Sequence, residues 1–245
     1  DYDLHIIDQP DQNYQQAAWM TALASHARLH LGADLVISND ADEFWLPAAN
    51  TSLKDHLRAT DSVVTVTRRN MVLAETALQP GYDYRWASHC VINPILFSKQ
   101  TQIEADAIAM LLIKISPKTI INPHGLIRLK GGNHWAKHGW RWIDARDEAG
   151  ISVYHYPIRS WERFEANILN RKRLLETTGA RMGDHYRRWV RLLDEGKLEE
   201  EFRRFVLFPQ DLQTTNRLGI TAAAPMADAF RNTPGITQPQ SSAKV

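Results

Sequence analysis

The segment Leu35-Val36-Ile37-Ser38-Asn39-Asp40-Ala41-Asp42-Glu43-Phe44-Trp45 constrains this chain more than any other. A short apolar run of β-prone residues gives way to three carboxylates within four positions. Like charges this close repel one another unless a cation sits among them or water screens them. In α/β proteins the carboxyl end of a strand is where ligands bind. The segment therefore reads as a divalent-metal site that holds a phosphorylated substrate. Asp40 and Asp42 lie two apart, so on an extended strand their side chains would share a face and reach one Mg²⁺ or Mn²⁺. The plain structural alternative is a solvated acidic turn.

The flanking pattern is that of an α/β domain. Leu4–Ile7 predicts a short strand. The stretch from Asp11 or Gln12 to Leu31 predicts a helix with an apolar stripe through Ala17, Met20, Leu23, Ala24 and Ala27, stopped at Gly32. Strand, helix and strand in this order predict a right-handed crossover in a partly parallel sheet. Ser52 is placed to cap a short helix reaching about Arg58. Val63–Thr67, Cys90–Phe97, Lys118–Asn122, Gly125–Leu129 and Ile151–Tyr156 read as further strands, and residues 70–89 as loop. After Pro157 the character becomes helical. Ser160 caps a helix with Trp161, Phe164, Ile168 and Leu175 along one side, and helices follow at Asp184–Leu193 and Lys197–Val206. The division expected is a catalytic domain over 1–158, a helical extension over 159–222 and a disordered tail over 223–245, rich in Ala, Pro, Ser and Gln.

Composition narrows the function. The 245 residues suffice for one sizeable core, and 23% charged with 44% apolar residues excludes general disorder. A net charge of +1 gives no basis for nucleic-acid or membrane binding driven by bulk charge. No run of ~18 apolar residues predicts a transmembrane segment. The lone Cys90 cannot form an internal disulfide, which fits a cytoplasmic location. The chain opens on Asp1, as if a strand were entered mid-domain, so the N-terminal part of the domain is expected to be missing.

Histidines supply the second clue. His155, in Val153-Tyr154-His155-Tyr156-Pro157-Ile158-Arg159-Ser160, can offer a nitrogen to the metal of Asp40 and Asp42, and Arg159 can hold a phosphate with its forked donors. The plain alternative is a histidine bonded to a backbone carbonyl and an arginine paired with Glu162. His134, in Gly132-Asn133-His134-Trp135, stands where glycines allow a ligand to approach closely, or simply form a turn. Trp45, Trp86, Trp135, Trp140 and Trp142 fall in expected loops where sugar rings can stack, although packing is the commoner use of tryptophan. Arg171-Lys172-Arg173 and the arginines beyond it are interleaved with acidic residues, so they read as a solvated helical face rather than an RNA surface.

Taken in order, Asp40-Ala41-Asp42-Glu43-Phe44, then Gly132-Asn133-His134, then His155-Tyr156-Pro157-Ile158-Arg159-Ser160-Trp161-Glu162-Arg163-Phe164 resemble bacterial family-2 glycosyltransferases of the GT-A type. Specifically, the chain is similar to the subgroup with an Asp-x-Asp-Glu-Phe motif and a later His-Tyr-x-x-Arg-Ser-x-x-x-Phe motif, and the likeness covers roughly residues 1–175. The resemblance implies a GT-A-like, mostly parallel mixed sheet flanked by helices, truncated at its N-terminus. It also implies metal-dependent, inverting transfer of a sugar from a nucleotide-diphospho-sugar to a hydroxyl acceptor on a glycan, lipid or protein, with peripheral membrane association left open. On that basis Asp40 and Asp42 correspond to the metal and diphosphate motif, His155 is the third ligand to Mn²⁺ or Mg²⁺, and Arg159 and His134 bind the nucleotide-sugar. Two departures stand out. Asn167 and Arg171 occupy positions where the subgroup carries lysine and then glycine, and no clear Glu-Asp pair marks the general base. Glu104 and Asp106 lie at a plausible point in the chain for that role, with a plain surface helix as the alternative. A metal-dependent phosphohydrolase and a non-catalytic carbohydrate- or RNA-binding module are the competing expectations.

Overall fold

A computed structural model describes residues 4–9, 15–96, 108–139, 145–178 and 184–233. The fold is mixed α/β and separates into two compact units interleaved along the chain. One comprises residues 1–39, 49–67 and 117–151, and the other residues 40–48, 68–116 and 152–245. The helical segments after Pro157 therefore belong to the same unit as the Asp40–Glu43 cluster instead of forming an extension of their own.

In the first unit, α1 (Gln16–Leu31) ends at Gly32, whose φ of 64° lets its N–H turn back to the Ala27 carbonyl. Thr21 Oγ1 accepts the Leu129 N–H at 2.9 Å and anchors α1 to β7 (Leu126–Leu129). β1 (Val36–Ile37) pairs antiparallel with β6 (Lys118–Ile121), and β6 pairs antiparallel with the start of β3 (Val63–Asn70). β9 (Ala145–His155) lies beside β3, and β7 pairs with β8 (Ala136–His138) in a separate hairpin. Ala24, Val63, Ile121, Leu129 and Ala136 form the apolar core of this unit.

These pairings correct two expectations. The strand ending at the acidic cluster is antiparallel to its neighbour, and so is the next pair in that sheet, so the sheet is not the mostly parallel one expected. Residues 4–7 form no strand and are exposed, with Leu4 and Ile6 open to solvent, so no β-α-β crossover starts there. β6 supplies the backbone partners of β1 directly.

In the second unit, β2 (Glu43–Pro47) lies beside β9, whose last residues run between β2 and the end of β3. β4 (Leu73–Ala74) pairs parallel with β10 (Val206–Leu207), and β5 (His89–Val91) pairs antiparallel with β11 (Thr221–Ala223). The helices are α2 (Ile108–Leu112), α3 (Trp161–Thr178), α4 (Asp184–Asp194), α5 (Leu198–Phe205), α6 (Pro209–Arg217) and α7 (Met226–Arg231). Ser160 caps α3 through its Oγ and the Arg163 N–H, and Phe164 and Ile168 enter a core with Trp189, Phe202 and Phe205. Buried Glu201 holds α4 to α5, accepting from Trp189 Nε1 at 3.1 Å and from the Arg188 guanidinium. Residues 223–233, expected to be disordered, are instead ordered. Met226 and Phe230 of α7 are buried beside Phe44, because the Ala/Pro-rich stretch carries just enough apolar residues on one helical face. No helix among the described residues is long and apolar enough to cross a membrane.

Candidate metal centre

The acidic cluster is a turn. The Glu43 N–H donates to the Asp40 carbonyl at 3.1 Å, closing Asp40-Ala41-Asp42-Glu43 as the lead-in to β2. Asp40 and Asp42 thus take the first and third positions of a turn and do not share a strand face as the extended reading expected. What stands across from the turn is the end of β9. The Tyr156 N–H donates to the Asp42 carbonyl at 2.8 Å, and His155 Nε2 lies 3.7 Å from Asp42 Oδ2. That separation is longer than a hydrogen bond.

Asp42, Glu43 and His155 offer ligand atoms that all lie within 4.8 Å of one another. Among the described residues no other group of three potential metal-ligating side chains comes together in this way. Asp40 is not part of it, while Asp42 and His155, expected together, are. The three members differ in character. Glu43 has a fully buried side chain whose Oε1 accepts from Arg68 Nη1 at 2.8 Å. An arginine already neutralises it, so it acts first as a strut between β2 and β3. Asp42 keeps about a third of its side chain open to solvent. Burial works against its charge, but the His155 imidazole, its own backbone N–H and the Arg159 guanidinium outweigh burial and hold the carboxyl below the usual aspartate range. Asp42 is therefore an ionised, accessible carboxylate.

Period-two geometry explains the supporting residues. Val64, Val66, Arg68 and Asn70 fall on one face of β3, and the valines are fully buried. The face continues into polar residues where it reaches the turn: Arg68 meets Glu43, and Asn70 meets His155, with His155 Nδ1 2.8 Å from Asn70 Oδ1. The sequence reading ended this strand at Thr67 and so missed both. A signal was present, since the alternation that buries Val64 and Val66 places Arg68 and Asn70 on the same face.

Arg159 lies with its guanidinium carbon 5.7 Å from the centre of the Tyr84 ring and contributes to the field at Asp42. Tyr84 packs edge-on to Tyr156, and Tyr156 edge-on to Phe44. Burial, followed by the neighbouring tyrosine hydroxyls, keeps the Tyr156 phenol far above its ordinary pKa and neutral. Just beyond Arg159 in sequence, Ser160, Trp161 and Glu162 line a cavity of about 480 Å³ with Tyr82, Phe202 and Arg203. Burial and Asp83 push the Tyr82 hydroxyl up to about 12.

His134 belongs to the first unit, where its Nδ1 lies 2.8 Å from the Pro117 carbonyl and its ring packs against Gly132. A Cβ on Gly132 would come within 2.6 Å of that ring, so the glycine accommodates the histidine. Glu104, Asp106, Trp140 and Trp142 lie outside the described residues. Of the remaining tryptophans, Trp135 is exposed and Trp86 sits near the Arg231 guanidinium. No protein-family model, no curated protein and no solved structure matches this chain.

Proposed function

We propose that the protein is a metal-dependent glycosyltransferase that moves a sugar from a nucleotide-diphospho-sugar to a hydroxyl acceptor, with inversion. The observation that carries this reading is the convergence of an ionised, partly open Asp42 with His155 at the end of β9, beside Arg159. Carboxylate oxygens suit Mg²⁺ and Mn²⁺, while an imidazole nitrogen favours a transition ion, so Mn²⁺ best satisfies both donors. Bound there, the ion would supply positive charge for a departing diphosphate.

The chain's own residues do the rest. Asp42 and His155 hold the ion, and Asp40 adds negative charge at the head of the same turn. Arg159, kept over Tyr84, steadies a phosphate with its planar donors. The 480 Å³ cavity next to Ser160 has the size and mixed lining of a small-ligand site, and this reading assigns it to the acceptor. A carboxylate still to be assigned takes the proton of the acceptor hydroxyl. A cytoplasmic location belongs to the same reading, supported by a single buried cysteine that has no partner for an internal disulfide.

The test is product analysis with Mn²⁺ and a panel of nucleotide sugars, with and without oligosaccharide, lipid and peptide acceptors. A transferase releases nucleoside diphosphate in step with a glycosylated acceptor. Phosphate or free sugar released equally well without acceptor would favour a phosphohydrolase. Absence of turnover together with metal-independent binding of glycan or RNA would favour a binding module.

A further inference from the structure

We infer that Asn70 is a positioning residue that fixes the tautomer of His155, leaving the Nε2 lone pair directed at Asp42. Asn70 is 3% exposed, so its amide must find partners inside the protein. Its Nδ2 donates to the Leu111 carbonyl of α2 at 3.0 Å. That carbonyl sits in the last turn of α2, where helix carbonyls lack intrahelical donors. The bond determines which way the amide faces: with the nitrogen on Leu111, the oxygen is the atom 2.8 Å from His155 Nδ1. The reversed amide would set oxygen against oxygen at Leu111. An amide oxygen can only accept, so His155 Nδ1 must carry the hydrogen. In the neutral ring Nε2 is then the unprotonated nitrogen, and it is the one 3.7 Å from Asp42 Oδ2.

The arrangement has the logic of a ligand supported from behind, in which a hydrogen bond to one ring nitrogen orients the other toward a metal. It also explains a buried asparagine at the end of an otherwise apolar strand face. The chain from α2 through β3 to β9 sets the ring before any ion arrives. Asn70 touches no reacting atom in this account, and its effect passes through His155.

The experiment is ¹⁵N–¹H correlation spectroscopy of the histidine rings in metal-free protein at alkaline pH, where imidazole is neutral. Wild type is expected to show His155, assigned by loss of its signals in His155→Gln, with hydrogen on Nδ1. Asn70→Ala is expected to shift the ring toward the Nε2–H form that imidazole prefers in water, and Asn70→Asp, which gives up the bond to the Leu111 carbonyl but retains an acceptor for the ring, to restore Nδ1–H. Hydrogen on Nε2 in wild type, or an unchanged ring in Asn70→Ala, would overturn the inference. Should Asn70→Ala not fold, the wild-type and Asn70→Asp spectra still decide it. Mn²⁺ calorimetry provides the second readout, with Asn70→Ala expected to bind roughly 10–100-fold more weakly and Asn70→Asp to recover most of the loss. This arm rests on the proposed function. A wild-type protein with the expected tautomer and no affinity for Mn²⁺ would refute the metal while supporting the role of Asn70.

Discussion

The backbone N–H of Tyr156 donates to the backbone carbonyl of Asp42 at 2.8 Å, so the residue after His155 is tied to the turn that carries the carboxylate. Because the link is made by main chain, the side chains of Asp42 and His155 can be changed without undoing it. The separation of the two side chains is a property of the sheet, and it should survive substitution at either one.

This separates ligand from strut. Glu43 and Arg68 form a buried ion pair, and removing one partner leaves the other charged and uncompensated. Arg68→Met is expected to lower stability by about 3–5 kcal/mol. Asp42→Asn, in a partly exposed turn, should change it by under about 1 kcal/mol. Urea unfolding of the two variants checks the contrast. Equal losses would place Asp42 in the scaffold.

Acid should loosen the first unit through Asp61. Its fully buried carboxylate accepts Arg146 Nε at 2.7 Å and Arg146 Nη2 at 2.8 Å. Burial raises the Asp61 pKa, but Arg146 and the Arg58 N–H outweigh it and the net shift is downward. A carboxyl whose folded pKa is lowered binds fewer protons folded than unfolded. Its stabilisation is therefore present above the ordinary aspartate pKa and is lost as pH falls through the depressed value. Stability measured from neutral pH into the acid range should fall steeply in wild type. In Asp61→Asn it should start lower and fall less.

Gly150 is fixed by a neighbour. A Cβ there would collide with His56 Nδ1 and come within 2.9 Å of Glu148 Oε1. Gly150→Ala is expected to cost about 1–3 kcal/mol by overpacking. Pairing it with His56→Ala should recover part of that loss, which a double-mutant cycle on thermal unfolding would show.

The C-terminal helix supports the strand that follows the acidic turn. Phe230 stacks edge-on to Phe44 with ring centres 5.0 Å apart and is 5% exposed. Phe230→Ala is expected to cost about 3–5 kcal/mol. Truncation after Ala224 should do at least as much damage, detectable as a lower urea midpoint.

Much of this was legible in the chain. Helical periodicity and caps located α1 up to its Gly32 stop, and α3, α4 and α5 within a residue or two, because those signals are local. The meeting of Asp42 with His155, 113 positions away, could be expected only from chemical complementarity and motif order. What escaped was non-local. The antiparallel pairing of β1 with β6 depends on which strand arrives beside it, and no feature of Val36-Ile37 states that choice. Arg68 and Asn70 looked like the polar end of a strand, since their partners Glu43 and His155 come from distant segments. The buried Met226 and Phe230 were hidden by a composition that resembles a disordered tail.

The central claim, that Asp42 and His155 together bind a divalent cation, is tested most directly by calorimetric titration of metal-free protein with Mn²⁺. The account predicts one site in wild type, weakened by well over the roughly 10–100-fold typical of supporting residues in both Asp42→Asn and His155→Ala, with unfolding of the two variants otherwise near normal. Wild-type affinity retained in either variant, or no binding by the wild-type protein, would contradict it.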